Sequence, residues 1–69
     1  METKSGTIKM IKTNGLYGFI KQDDGEEDVF FHSNGVISPE FKDLREGMTV
    51  EYMVTASPKG GRAIGVVVI

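Results

Sequence analysis

Tyr17, Phe19, Phe30 and His32 are the residues of this 69-residue chain whose types and spacing suggest a chemistry. They lie in two short segments, Tyr17-Gly18-Phe19-Ile20-Lys21 and Phe30-Phe31-His32, the second beginning eleven residues after Phe19. Each segment reads as a strand, and strand side chains alternate between two faces. Tyr17, Phe19 and Lys21 therefore share one face, with Gly18, Ile20 and Gln22 on the other. Phe30 and His32 share a face opposite Val29 and Phe31. If Ile20, Val29 and Phe31 enter the core, then three aromatic rings and an imidazole face solvent. Folding alone does not account for such a face. Nucleic-acid bases stack on aromatic platforms at about 1–3 kcal/mol each, so the first partner to consider is single-stranded RNA or DNA.

Other chemistries find little support. The chain has one histidine and no cysteine, which leaves no cysteine-based metal site, no disulfide and no supported nucleophile–histidine–acid arrangement. The acidic run Asp23-Asp24-Gly25-Glu26-Glu27-Asp28 lacks the alternating carboxylates and distal glutamate of a calcium loop. No glycine-rich loop precedes a helix, as a nucleotide-phosphate cradle requires. The reading is a binding protein without catalytic residues, metal, cofactor or small-molecule substrate.

The elements that must position these side chains are strands. Nine glycines punctuate segments rich in Val, Ile, Thr and aromatics. A first strand spans Ser5 to Lys12 and turns at Thr13-Asn14-Gly15, since Asn-Gly is a strong hairpin signal. Tyr17 to Gln22 forms the second, the acidic run its turn, and Asp28 to His32 the third. Ser33-Asn34-Gly35 ends the pairing with a helical turn. Residues 36–46 read as a long irregular connection carrying Pro39 and Phe41. Met48 to Ala56 alternates as a fourth strand, Ser57 to Gly61 turns, and Arg62 to Ile69 forms a fifth. This pattern predicts one all-β domain over residues 1–69, a five-stranded antiparallel Greek-key β-barrel of the OB-fold type.

Composition sets further bounds. A domain this small buries only about 60% of its unfolded surface, so its core should be thin. The longest apolar run, Val66 to Ile69, is far below the roughly 20 residues that span a membrane. The N-terminal residues lack a signal-peptide pattern, which makes the cytoplasm the expected location. The net charge is −2, unusual for a nucleic-acid binder, but it is unevenly distributed. Lys4, Lys9, Lys12 and Lys21 sit beside the aromatic segments, whereas five carboxylates crowd into residues 22–28, as expected of a solvated turn.

Gly6-Thr7-Ile8-Lys9, Gly18-Phe19-Ile20, Asp28-Val29-Phe30-Phe31-His32 and Leu44-Arg45-Glu46-Gly47 together resemble the cold-shock domain in order, spacing and total length. Tyr17-Gly18-Phe19-Ile20 resembles that family's first ribonucleoprotein motif and Val29-Phe30-Phe31-His32 its second. The resemblance implies an OB-type barrel that binds single-stranded RNA or DNA with little sequence preference, often as an RNA chaperone. It places Lys9, Tyr17, Phe19, Phe30 and His32 on the binding face and adds Phe41 and Lys59. Lys12, Lys21, Lys59 and Arg62 read equally well as ordinary surface charge.

The chain also departs from the family pattern. Met10-Ile11 stands where many members carry Trp-Phe, Ser33 where many carry an aromatic, and Gly15-Leu16 where many place a basic residue. Met10 offers a soft apolar contact but no π-face. Losing two stacking surfaces at about 1–3 kcal/mol each would weaken binding by orders of magnitude. The rival expectation is a cold-shock-like barrel of reduced nucleic-acid affinity, serving as a protein-interaction or self-association module. In either case the chain is expected to be a monomer or a weak dimer.

Overall fold

The alternation in the two aromatic segments is realised as adjacent strands of one sheet. The computed structural model describes residues 3–57 and 60–69. Six strands follow in chain order: β1 Lys4–Lys12, β2 Tyr17–Gln22, β3 Val29–His32, β4 Val36–Ser38, β5 Thr49–Ser57 and β6 Gly60–Val68. Their spatial order is β3-β2-β1-β5-β6-β4, and an additional β3–β6 pairing closes β1, β2, β3, β5 and β6 into a five-stranded barrel. This is the expected OB-type fold. The closing seam is parallel, however, pairing Phe30 with Arg62 and Phe31 with Ala63, so the barrel is not wholly antiparallel.

The connection over residues 36–46 is more ordered than its sequence suggests. Val36–Ser38 pairs with β6, and Phe41–Asp43 forms a 3-10 turn. Three residues carry too little local signal to read as a strand; their pairing with Val66 and Val67 supplies the order. The turn expected after His32 is the 3-10 segment Ser33–Gly35.

Inward positions form one core: Ile8, Ile20, Val29, Phe31, Leu44, Val50, Tyr52, Ala63 and Val66. Phe31 is 0% exposed and Tyr52 1%, the two largest side chains among the fully buried ones. Gly18 is required beneath the aromatic strand. A Cβ there would lie 2.8 Å from the Phe31 ring edge and collide with the Met10 carbonyl.

One buried polar chain ties the sheet to the acidic loop. The Tyr52 hydroxyl donates to Gln22 Oε1 at 3.1 Å, and Gln22 Nε2 donates to the Glu27 carbonyl at 2.7 Å. Burial, followed by the nearby Asp24 and Asp23 carboxylates, pushes the Tyr52 hydroxyl pKa up to about 12. Both effects disfavour the phenolate.

Candidate nucleic-acid interface

A bulge in β1 decides which of its residues reach the outer face. Ile8 pairs with Ile20, but the next partner of Phe19 is Met10, so Lys9 is the extra residue. A bulge re-aims the side chains that follow it. Strict alternation from the buried Ile8 would turn Met10 inward and Ile11 outward. Instead Met10 lies directly across from Phe19 and is 37% exposed, whereas Ile11 packs against the core. Lys12 then falls across from Tyr17. Met10 thus shares the outer face with Phe19.

On β2 and β3 the register pairs Tyr17 with His32 and Phe19 with Phe30. The three rings form a continuous cluster. Tyr17 and Phe30 are tilted with centroids 5.7 Å apart, and Phe19 meets Tyr17 and Phe30 edge-on, each at 6.0 Å. Edge-to-face and tilted contacts suit aromatic quadrupoles, so the rings hold one another in place. All three are half-buried, with Ile20, Val29 and Phe31 beneath the sheet in the core. His32 lies beside Tyr17, and its Nδ1 accepts from the Asn34 N–H at 3.1 Å. A neutral ring in that arrangement carries its proton on Nε2.

Phe41 is not brought to this cluster. Its ring centroid lies 6.1 Å from that of Phe31, and it packs on the core as a partly buried residue. Phe41 therefore stands apart from the ring cluster. The 3-10 turn over Phe41–Asp43 docks it near Ile11 and Leu44 instead. Lys59 lies outside the described residues.

Arg62 was left undecided by its sequence, and the parallel seam brings it to the rings. It pairs with Phe30 across β3–β6, and its guanidinium carbon lies 5.6 Å from the Phe30 centroid. The platform therefore continues onto β6. No local signal marks Arg62, because the contact depends on closing the barrel.

The acidic run does more than form a solvated turn. The Lys9 ammonium reaches Asp28 at 2.7 Å, and Lys4 reaches Asp24 at 2.6 Å. The Lys4 ammonium hydrogen bond, with the Glu26 backbone N–H, holds the Asp24 carboxyl below the usual carboxylate range. By contrast, Lys12 makes no ion pair among the described residues. Among those residues no group of three or more His, Cys, Asp or Glu side chains could hold a metal ion.

Leu16 has a φ of +57° and is 50% exposed. Its carbonyl accepts from the Ser33 N–H at 2.8 Å, which pins the turn beside Tyr17 and His32. A left-handed backbone costs a non-glycine residue about 1–2 kcal/mol.

Comparison with known proteins agrees with this geometry. The model of the "Cold-shock" DNA-binding domain matches residues 4–69. The cold shock-like protein CspA of Stigmatella aurantiaca is 44% identical over 59 residues, covering 86% of this chain and 87% of that protein. The cold shock protein CspV of Vibrio cholerae is 40% identical over 70 residues, covering both chains completely. Among solved structures, Drosophila Unr CSD456 superposes with a TM-score of 0.83 over 99% of this chain. It is 22% identical and much longer, this chain matching 27% of it, so that likeness concerns the fold. The family binds nucleic acid and is not one of enzymes, and this chain belongs to it: it is a cold-shock domain.

Proposed function

We propose that this cold-shock domain binds single-stranded RNA or DNA by stacking bases on Tyr17, Phe19, Phe30 and His32, and that it acts in the cytoplasm as an RNA chaperone or regulator. The observation that carries this reading is the outward ring cluster, with centroids 5.7–6.0 Å apart, on a face where the core needs no rings. Met10 adds a soft apolar contact beside Phe19. Lys9 and Lys12 flank the rings as phosphate contacts, and Lys59 is a further candidate. Phe41, half-buried beside Phe31 and outside the ring cluster, is a further candidate contact from the loop.

The mechanism is passive. A ligand that binds only the open state shifts an equilibrium by RT ln(1 + [L]/Kd), about 2.7 kcal/mol at a hundredfold excess over Kd. Capture of transiently unpaired bases therefore keeps weak RNA secondary structure open without ATP. Sequence-tolerant stacking allows capture at many sites.

A second reading is favoured by two observations. Lys9 is already paired with Asp28, and Met10 and Leu16 are exposed beside the rings. Such a face can dock a protein or a second copy. Titrating a labelled pyrimidine-rich single strand, and its duplex, at low salt separates the two. Tight single-strand binding with weak duplex binding supports the proposal. Absence of binding together with concentration-dependent self-association supports the rival.

A further inference from the structure

We propose that Arg62 makes this platform selective for guanine, by donating from its guanidinium to O6 and N7 of a guanine stacked beside Phe30. The inference rests on the single-strand reading above and adds base selectivity to it. Arg62 stands in register with Phe30 on the outer side of the parallel seam, its guanidinium carbon 5.6 Å from that ring's centroid. A cation over a ring face is held there by the ring quadrupole. Its Nε is buried without a hydrogen-bond partner. The donors left for a ligand are therefore those of the two terminal nitrogens, a planar fork in fixed geometry.

The position of that fork decides what it reads. Phe30 is one member of the ring cluster, so a guanidinium resting on it lies at the level of stacked bases rather than at the platform's lysine-lined edge. Tyr17 and Phe19 have their centroids 5.7 and 6.0 Å from Phe30. A base stacked on either ring would turn an edge toward the fork. On the Hoogsteen edge only guanine offers two adjacent acceptors. Adenine sets a donor beside its N7, cytosine presents a donor, and thymine offers one acceptor beside a methyl group. Two parallel donors therefore match guanine on this edge and mismatch the other three; the competing acceptor pair is N3 and O2 of cytosine on the Watson–Crick edge that an unpaired strand also exposes.

The test measures affinities, at one fixed salt concentration, for a short oligothymidylate whose central base is thymine, guanine, 7-deazaguanine, adenine or cytosine. The folded protein is compared with Arg62→Gln and Arg62→Lys, each checked by thermal melting. The expected result is about tenfold tighter binding of the guanine strand than of the thymine strand. Replacing N7 by carbon should remove most of that gain. Arg62→Gln should lose the guanine-over-thymine preference, whatever its effect on the affinity for plain oligothymidylate. Arg62→Lys, which keeps the charge but not the fork, should also lose the preference. The proposal is overturned if the wild-type protein shows no guanine preference. It is equally overturned if both variants weaken every strand by the same factor, since Arg62 would then hold phosphate. Failure of the wild-type protein to bind any strand would instead overturn the platform reading and this proposal with it.

Discussion

The Lys9 ammonium and the Asp28 carboxylate lie 2.7 Å apart across the edge of the ring platform. If Lys9 contacts a backbone phosphate, as proposed above, the carboxylate competes for the same ammonium. Asp28→Asn should therefore strengthen single-strand binding, by up to about 1 kcal/mol for an exposed pair. With two to four phosphate contacts, the slope of log affinity against log salt should be roughly −1.5 to −3, and the variant should steepen it by about 0.7. Salt-dependent titrations of the two proteins check both. A weaker Asp28→Asn would mean that the carboxylate itself contacts the strand.

Phe19 and Phe30 should separate from Phe31 in what their loss does. Phe19→Ala and Phe30→Ala should each weaken single-strand binding by about 1–3 kcal/mol. Phe31, completely buried, should cost about 3–5 kcal/mol of folding stability when truncated to alanine. Denaturant melts alongside binding titrations make the comparison. A stable Phe31→Ala protein with lost binding would invert the assignment of faces.

Met10 lies across from Phe19, so Met10→Trp should add a stacking surface without entering the core. We expect a gain of about 1–3 kcal/mol for single strands and almost none for duplex. An unchanged affinity in a folded variant would show that this edge does not meet the strand.

Tyr52 predicts an alkaline limb of stability. Its folded pKa is raised to about 12, above the ordinary value of 10, so the folded state holds the proton more tightly. The associated stability is fully present below pH 10 and is lost as the pH rises from 10 to 12. The loss approaches about 2–3 kcal/mol at 1.36 kcal/mol per pKa unit. Tyr52→Phe should flatten that limb. It should also cost about 1–3 kcal/mol at neutral pH, because Gln22 Oε1 loses its buried donor. Denaturant unfolding across this pH range, with and without the substitution, reads both effects.

Leu16 carries a backbone cost that glycine would not. Leu16→Gly relieves the φ of +57° while giving the unfolded chain more freedom, and the balance should be a gain of up to about 1 kcal/mol. A lower melting temperature would show that the exposed leucine makes compensating contacts.

Tyr17, Phe19, Phe30 and His32 were legible as one face because strand alternation is local: two residues along a strand return to the same side whatever the partner. The burial of Ile20, Val29 and Phe31 followed from the same two-residue period, as did the hairpins at Asn14-Gly15 and in the acidic run. The family motifs added Lys9 and Met10, but the bulge that turns Met10 outward arises only when β1 pairs with β2. Arg62 reaches Phe30 because the barrel closes through β3 and β6, residues more than thirty apart in sequence. Phe41 packs on Phe31, and Asp28 pairs with Lys9, through other contacts that form only in the folded chain. Each is a contact between segments whose sequences carry no mark of one another. Local periodicity determines which side of a strand a residue occupies. Only the free energy of burying the whole core selects the register and closure that decide which residues become its neighbours.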